Sequence, residues 1–166
     1  MSDFESEFDE NKLPSGLNVL TILTFVGSGF IILRSIWDYI KSSDNVIELE
    51  KLQASPDYAK IPEWGKRFVG PEMLNLLHET DINKLPILII NILGCLLCIY
   101  GAIEMRKQKI NGFYVYIIGQ SLPFLGLFMF IGGLFFVLGW LAYFTIGLPL
   151  FFTLLYLTQA KFLTKK

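Results

Sequence analysis

The stretch Leu85–Ile103, "LPILIINILGCLLCIYGAI", decides the class of this chain, because no charged residue interrupts it. A helix needs about 20 mostly apolar residues to cross the hydrocarbon of a bilayer. The sequence therefore predicts a transmembrane helix here, which we extend to residues 85–105. Pro86 falls near its first turn, where the missing N–H of proline is tolerated.

Three further stretches meet the same criterion, at residues 17–40, 112–131 and 134–158, with Gly132 and Gly133 predicted as a tight turn between the last two. The composition agrees, since 53% of the 166 residues are hydrophobic and only 17% are charged. Soluble domains carry about 25% charged residues. We therefore predict an all-α membrane protein with four transmembrane helices. A net charge of −1 leaves no broad basic surface for nucleic acid.

The rest of the chain divides into four segments. They are predicted as an acidic disordered N-terminal tail (1–16), an extracytoplasmic segment (41–84), a basic cytoplasmic loop (106–111) and a basic C-terminal tail (159–166). In the extracytoplasmic segment Ile61, Trp64 and Phe68 recur on one helical face beside basic residues, which predicts short amphipathic helices. Such helices either cover the bundle in the headgroup plane or bind a partner protein.

Orientation follows from the lysines and arginines that flank the predicted helices. Arg106, Lys107 and Lys109 lie together after the second helix, and the C-terminal tail adds further lysines. Because positive charge marks cytoplasmic loops, both termini are predicted on the cytoplasmic side of a bacterial inner membrane. The charges that flank the first helix favour the opposite orientation, since Arg34 and Lys41 follow it and only Lys12 precedes it.

Arg34 and Asp38 form the charged pair nearest to the interior of a predicted helix. Their spacing of four places both on one face of the first helix. Trp37 and Tyr39 beside them are residue types that anchor helices at the membrane surface, which favours the end of the helix at the outer boundary. Alternatively, Arg34 holds a carboxylate of the outer segment or an anionic lipid headgroup.

The remaining candidate interaction residues are Trp64, Asn91 and Gln120. The two amides are predicted to form hydrogen bonds between helices. Cys95 and Cys98 lie in the middle of the second helix and are interpreted as packing residues. No catalytic, cofactor-binding or metal-binding residue is predicted, and no cofactor.

Glycines recur every seven residues on the second and third helices. The ladder predicted to mediate helix packing consists of Gly94, Gly101, Gly112, Gly119 and Gly126. Seven residues is close to two helical turns, so the stripe stays near one face. Small residues let membrane helices approach closely, either within one bundle or against another subunit.

The opening of the first helix, residues 13–30, "LPSGLNVLTILTFVGSGF", resembles small uncharacterised four-span membrane proteins of the Bacteroidota. The resemblance rests on a Leu-Pro, a helix rich in leucine and isoleucine, a Thr-Phe and a Gly-Ser-Gly. It implies the membrane class and a bacterial inner-membrane location, and it implies no site residue.

These observations favour a non-enzymatic accessory or scaffold subunit of a membrane protein complex. Its expected partners are the lipid bilayer and a membrane protein, or a further copy of the chain. The alternative is an oligomeric channel or carrier for a small or lipidic solute. Such a protein needs a polar path, for which Arg34, Asn91, Gln120 and Ser121 are the candidates.

Overall fold

A computed structural model describes residues 13–163, and every element in that range is helical. The α-helices are α1 (Ser15–Ala54), α2 (Glu63–Val69), α3 (Pro71–Ile82), α4 (Lys84–Arg106), α5 (Ile110–Phe130) and α6 (Trp140–Gln159). Short 3-10 helices occupy Pro56–Lys60, Gly132–Leu138 and Ala160–Phe162. Most of the predicted acidic tail and the last three residues of the basic tail lie outside the described residues.

Within the described range, four helices are long and apolar enough to cross a membrane. They are α1, α4, α5 and the segment Ala142–Phe162, which contains most of α6. The prediction of a helical chain with four such helices is confirmed. α6 is the least enclosed of the four by the rest of the protein.

α1 is much longer than a single membrane crossing requires. Its 40 residues extend about 60 Å at 1.5 Å per residue, and the sequence predicted that the helix ends at residue 40. No glycine or proline interrupts the chain between Gly29 and Pro56. The helix ends at Ala54 because Ser55 precedes Pro56, and a residue before proline is driven to extended backbone.

The second half of α1 is covered by α3, which runs antiparallel to it. Val46 and Leu49 are buried there, and His78 Nε2 lies 3.1 Å from Glu50 Oε1. Between residues 41 and 84 the structure has the helices α2 and α3, whereas residues 41–54 continue α1. Leu76 of α3 belongs to a buried cluster at the same end of the bundle.

α4, α5 and α6 complete an antiparallel bundle with the first half of α1. α3 passes into α4 with a break only at Asn83, and residues 107–109 connect α4 to α5. The main buried cluster joins all four long helices near one end. It contains Leu17, Leu20, Cys98, Met105, Phe113, Tyr116, Tyr156 and Leu163.

The connection from α5 to α6 is longer than the predicted two-glycine turn. Residues Gly132–Leu138 form a 3-10 helix, and α6 begins at Trp140, six residues after the predicted start of the fourth helix. Gly132 has φ +60° and Gly139 has φ +59°. Residues with a Cβ rarely adopt such positive φ values. The two glycines thus bracket the turn.

Candidate functional site

The centre of the bundle holds a set of hydrogen bonds among side chains of three helices. Thr24 and Tyr156 join their hydroxyl oxygens at 2.7 Å. Gln120 Nε2 donates to the hydroxyl oxygen of Tyr116 at 2.7 Å, and Thr153 Oγ1 donates to Gln120 Oε1 at 2.7 Å. The amide of Gln120 therefore bonds at both ends, to Tyr116 in its own helix and to Thr153 of α6.

Asn91 contacts α1 at a second position. Its Nδ2 donates to the hydroxyl oxygen of Ser35 at 3.4 Å. Asn91 was predicted as an interaction residue and Ser35 was not. Ser35 belongs to a line of buried hydroxyl residues on α1. Thr21, Ser28, Ser35 and Ser42 are all buried and recur every seven residues. That spacing was the available signal, and it marks the face of α1 that the bundle covers.

The predicted glycine ladder forms the contact between α4 and α5. A Cβ placed on Gly101 would lie 2.7 Å from the carbonyl oxygen of Gly112, and one on Gly119 would lie 2.8 Å from that of Gly94. Separations below 3.0 Å are essentially never seen for a Cβ, so backbone meets backbone here. Gly126 instead faces the side chain of Ile90. All five glycines pack within this one chain.

Arg34 and Asp38 lie on the outer surface of the bundle. Arg34 Nε is 3.5 Å from Asp38 Oδ2, and their side chains are 71% and 59% exposed. α1 continues for 20 residues beyond Arg34, so the pair does not mark the end of a helix. Ser35 contacts Asn91, which places Arg34 level with the apolar run of α4.

Trp64 is not brought together with the other candidate residues. It lies on α2, where its side chain is 76% exposed. On the same helix, Arg67 packs its guanidinium over Gly139 of the α5–α6 connection. The structure thus separates Trp64, at the end of the bundle, from Asn91 and Gln120 inside it.

The described residues contain no group of side chains arranged for metal or thiol chemistry. That part of the chain contains no group of three or more histidine, cysteine or acidic residues placed to hold a metal ion. Cys95 and Cys98 are buried and unpaired, and Cys98 Sγ lies 3.8 Å from the carbonyl oxygen of Tyr116. Cys98 thus lies at the contact of α4 with α5, and Cys95 is buried one turn or less before it on α4.

A set of polar contacts joins α1 to α3 and α4. Ser43 donates to Asp81 Oδ1 at 2.9 Å, and Lys84 Nζ lies 3.1 Å from the same oxygen. Burial alone would raise the pKa of Asp81, but hydrogen bonds from Lys84, Ser43 and Ser42 together lower it. The ionised form is thus the one that the fold stabilises.

This lowered pKa predicts a pH dependence for the Asp81→Asn variant. A carboxyl whose pKa is lower in the folded state stabilises the fold above its unfolded pKa of about 3.9 and loses that contribution as pH falls through the folded pKa. The melting temperature of the variant should lie below that of the unmodified protein at pH 7, and the difference should shrink during an acid titration in detergent. Asp44→Asn, in an exposed pair with Lys41, is the matched control and should have little effect. A difference that grows toward low pH would contradict the assignment.

No family model, curated protein or solved structure matches the chain.

Proposed function

We propose that this chain is an integral membrane protein that acts as a non-enzymatic accessory or scaffold subunit and packs against other membrane chains. The observation that carries the proposal is the internal pairing of its polar side chains. In the part of the chain that the structure describes, no buried side-chain nitrogen or oxygen lacks a hydrogen-bond partner. The buried polar side chains thus find their hydrogen-bond partners within the chain. We therefore assign binding of other membrane chains to the surface of the bundle.

The surface of the four long helices supports membrane insertion. Large apolar side chains such as Leu93, Leu96, Ile118 and Leu154 are half exposed or more. A soluble protein rarely exposes contiguous apolar patches beyond a few hundred Å². In a bilayer the same side chains contact lipid or the helices of another protein.

The alternative, an oligomeric carrier or channel, gains no support from the polar residues named for it. Asn91 bonds to Ser35, and Gln120 bonds to Tyr116 and Thr153. Ser121 donates to the carbonyl oxygen of Ile117 in its own helix, and Arg34 faces outward. Asn91, Gln120 and Ser121 are thus engaged in hydrogen bonds within the chain. A carrier needs a polar path.

For orientation we propose cytoplasmic termini in a bacterial inner membrane. Arg106 ends α4, and Lys107 and Lys109 lie in its connection to α5, so the positive-inside preference favours the cytoplasm for this end. Glu104 pairs with both lysines, at 2.7 Å and 3.1 Å. Acidic residues weigh little in this preference, so the assignment stands on the basic residues. α2, α3 and the end of α1 then lie on the outer side.

Native mass spectrometry after gentle solubilisation tests the proposal. The full chain carries a tag, is expressed at its native level and is extracted in a mild detergent. We expect a second membrane protein at fixed stoichiometry, which recovers this chain when it is tagged in turn. An unrelated tagged four-helix membrane protein at the same level is the control, and proteins recovered with both are discarded. A chain that carries no other protein but retains a small molecule would overturn the proposal in favour of a carrier.

A further inference from the structure

One face of α1 is not covered by the rest of the chain. Leu23, Gly27, Phe30, Arg34 and Asp38 follow one another at intervals of four, three, four and four residues, which places them on one side of a helix. We call this set the Arg34 face. Leu23 and Phe30 are exposed, and a Cβ added to Gly27 would meet nothing within 4 Å. Gly27 thus differs from the ladder glycines of α4 and α5, which meet neighbouring backbone or side chains.

The Arg34 face carries its charges at an unexpected depth. Asn91, which contacts Ser35, lies seven residues into α4 from Lys84, or about 10 Å along the helix. Residues 85–90 between them are all apolar. In the proposed bilayer, Arg34 therefore sits level with hydrocarbon-facing residues of α4. Charged side chains at such a depth are rare and almost always pair closely with one another or with backbone carbonyls.

The contact of Arg34 with Asp38 in its own helix uses few of the hydrogen-bond donors of the guanidinium. Arg34 Nε reaches Asp38 at 3.5 Å, the long limit of a hydrogen bond. A guanidinium offers five N–H donors, and both side chains of the pair are largely exposed. Arginine before aspartate is also the weaker order for a pair four residues apart in a helix.

We propose that the Arg34 face binds the same face of a second copy of this chain. The inference rests on the proposed function in requiring the four helices to lie in a bilayer. Copies inserted in the same direction are related by a two-fold axis along the membrane normal. Arg34 and Asp38 are one helical turn, about 6 Å, apart, so the long Arg34 side chain can pair diagonally with the carboxylate of the second copy. Arg34 of each copy pairs with Asp38 of the second copy, and the two Gly27 positions allow the helices to approach closely.

A charge exchange between chains tests this contact. Arg34→Asp makes the face doubly acidic, and Asp38→Arg makes it doubly basic, so neither variant keeps the pair within its own helix. The unmodified protein and each variant are labelled with a donor or an acceptor dye and placed in liposomes at low protein-to-lipid ratio. We expect energy transfer for the unmodified protein and at least a tenfold weaker association of each variant alone. Mixing the two variants should restore transfer.

Restoration in the mixture can arise only between chains, since neither variant retains the intrahelical pair. Asp57→Arg and Lys60→Asp are matched controls, because that exposed pair at 2.7 Å lies in the 3-10 helix after α1. The control variants should associate like the unmodified protein. Absence of transfer for the unmodified protein, or a mixture that stays apart while both variants keep their helical circular dichroism, would overturn the proposal.

A second pair of variants avoids any charge in the membrane. Gly27→Leu fills the open space on the Arg34 face, whereas Gly29→Leu fills open space about 160° away on the same helix. The first should weaken association about tenfold, and the second should leave it unchanged. Equal effects of both would count against this face as the contact. A monomer in liposomes that still recovers a foreign membrane protein would refute self-association and leave the proposed function standing.

Discussion

Replacing Gly119 with leucine is expected to separate α4 from α5 and to destroy the bundle. A Cβ at this position would lie 2.8 Å from the amide nitrogen of Cys98, 2.8 Å from the carbonyl oxygen of Gly94 and 2.9 Å from Leu97 Cβ. None of these atoms is the far end of a flexible side chain, so relief requires the two helices to move apart. Overpacking of this kind costs about 1 to 3 kcal/mol for small additions, and leucine adds four carbons.

Thiol labelling provides the measurement for Gly119→Leu. Cys98 is buried at this helix contact and Cys95 is buried nearby on α4, so a maleimide should label them slowly in the folded protein and rapidly in the variant. Gly119→Ala should show an intermediate rate, because the clash is partly offset by a helix propensity gain of about 1 kcal/mol. Gly147→Leu is the control, since nothing lies within 4 Å of its added Cβ. Continued protection of both cysteines in Gly119→Leu would contradict the packing described.

The glycine ladder shows how far spacing alone predicts a contact. The interval of seven identified Gly94, Gly101, Gly112 and Gly119, which meet backbone across the α4–α5 contact. The same interval extends to Gly133, which has open space around it in the connection to α6. Glycine serves both close helix packing and connections between helices, and a sequence interval does not separate these uses.

The limits of α1 and α6 depended on tertiary contacts that hydropathy does not record. Polar residues after Ile40 predicted a helix end, yet α3 covers Val46 and Leu49 and the helix continues to Ala54. At the other connection, residues 134–138 are as apolar as the helix that follows. Two glycines of positive φ turn them into a 3-10 helix, which hydrophobicity cannot distinguish from the start of α6.

The polar centre could be predicted in part. Gln120 and Asn91 stood out because amides are uncommon in apolar helices, whereas Thr24 and Ser35 resemble ordinary small residues of a membrane helix. Tyr116 and Tyr156 are two of seven tyrosines, and the sequence does not indicate which tyrosines are buried. Only the packing of the four helices selects this pair.

Tyr156 is the side chain whose removal should cost the bundle most after the glycine contact. It is fully buried, its ring centroid lies 4.6 Å from that of Tyr116, and its hydroxyl bonds to Thr24. α6 is the least enclosed long helix, so few other contacts compensate. Tyr156→Ala leaves a cavity the size of an aromatic ring, and such truncations cost about 3 to 5 kcal/mol.

Tyr156→Phe separates the hydrogen bond from the ring. It keeps the aromatic contact with Tyr116 and removes only the bond to Thr24, worth about 0.6 to 2 kcal/mol between membrane helices. Unfolding in a graded mixture of denaturing and mild detergent should therefore rank the unmodified protein above Tyr156→Phe, and Tyr156→Phe well above Tyr156→Ala. Tyr143→Ala is the matched control on α6, because its side chain is 71% exposed and its loss should cost little. Equal stability of Tyr156→Ala and Tyr143→Ala would mean that α6 does not dock on α1 and α5 through Tyr156.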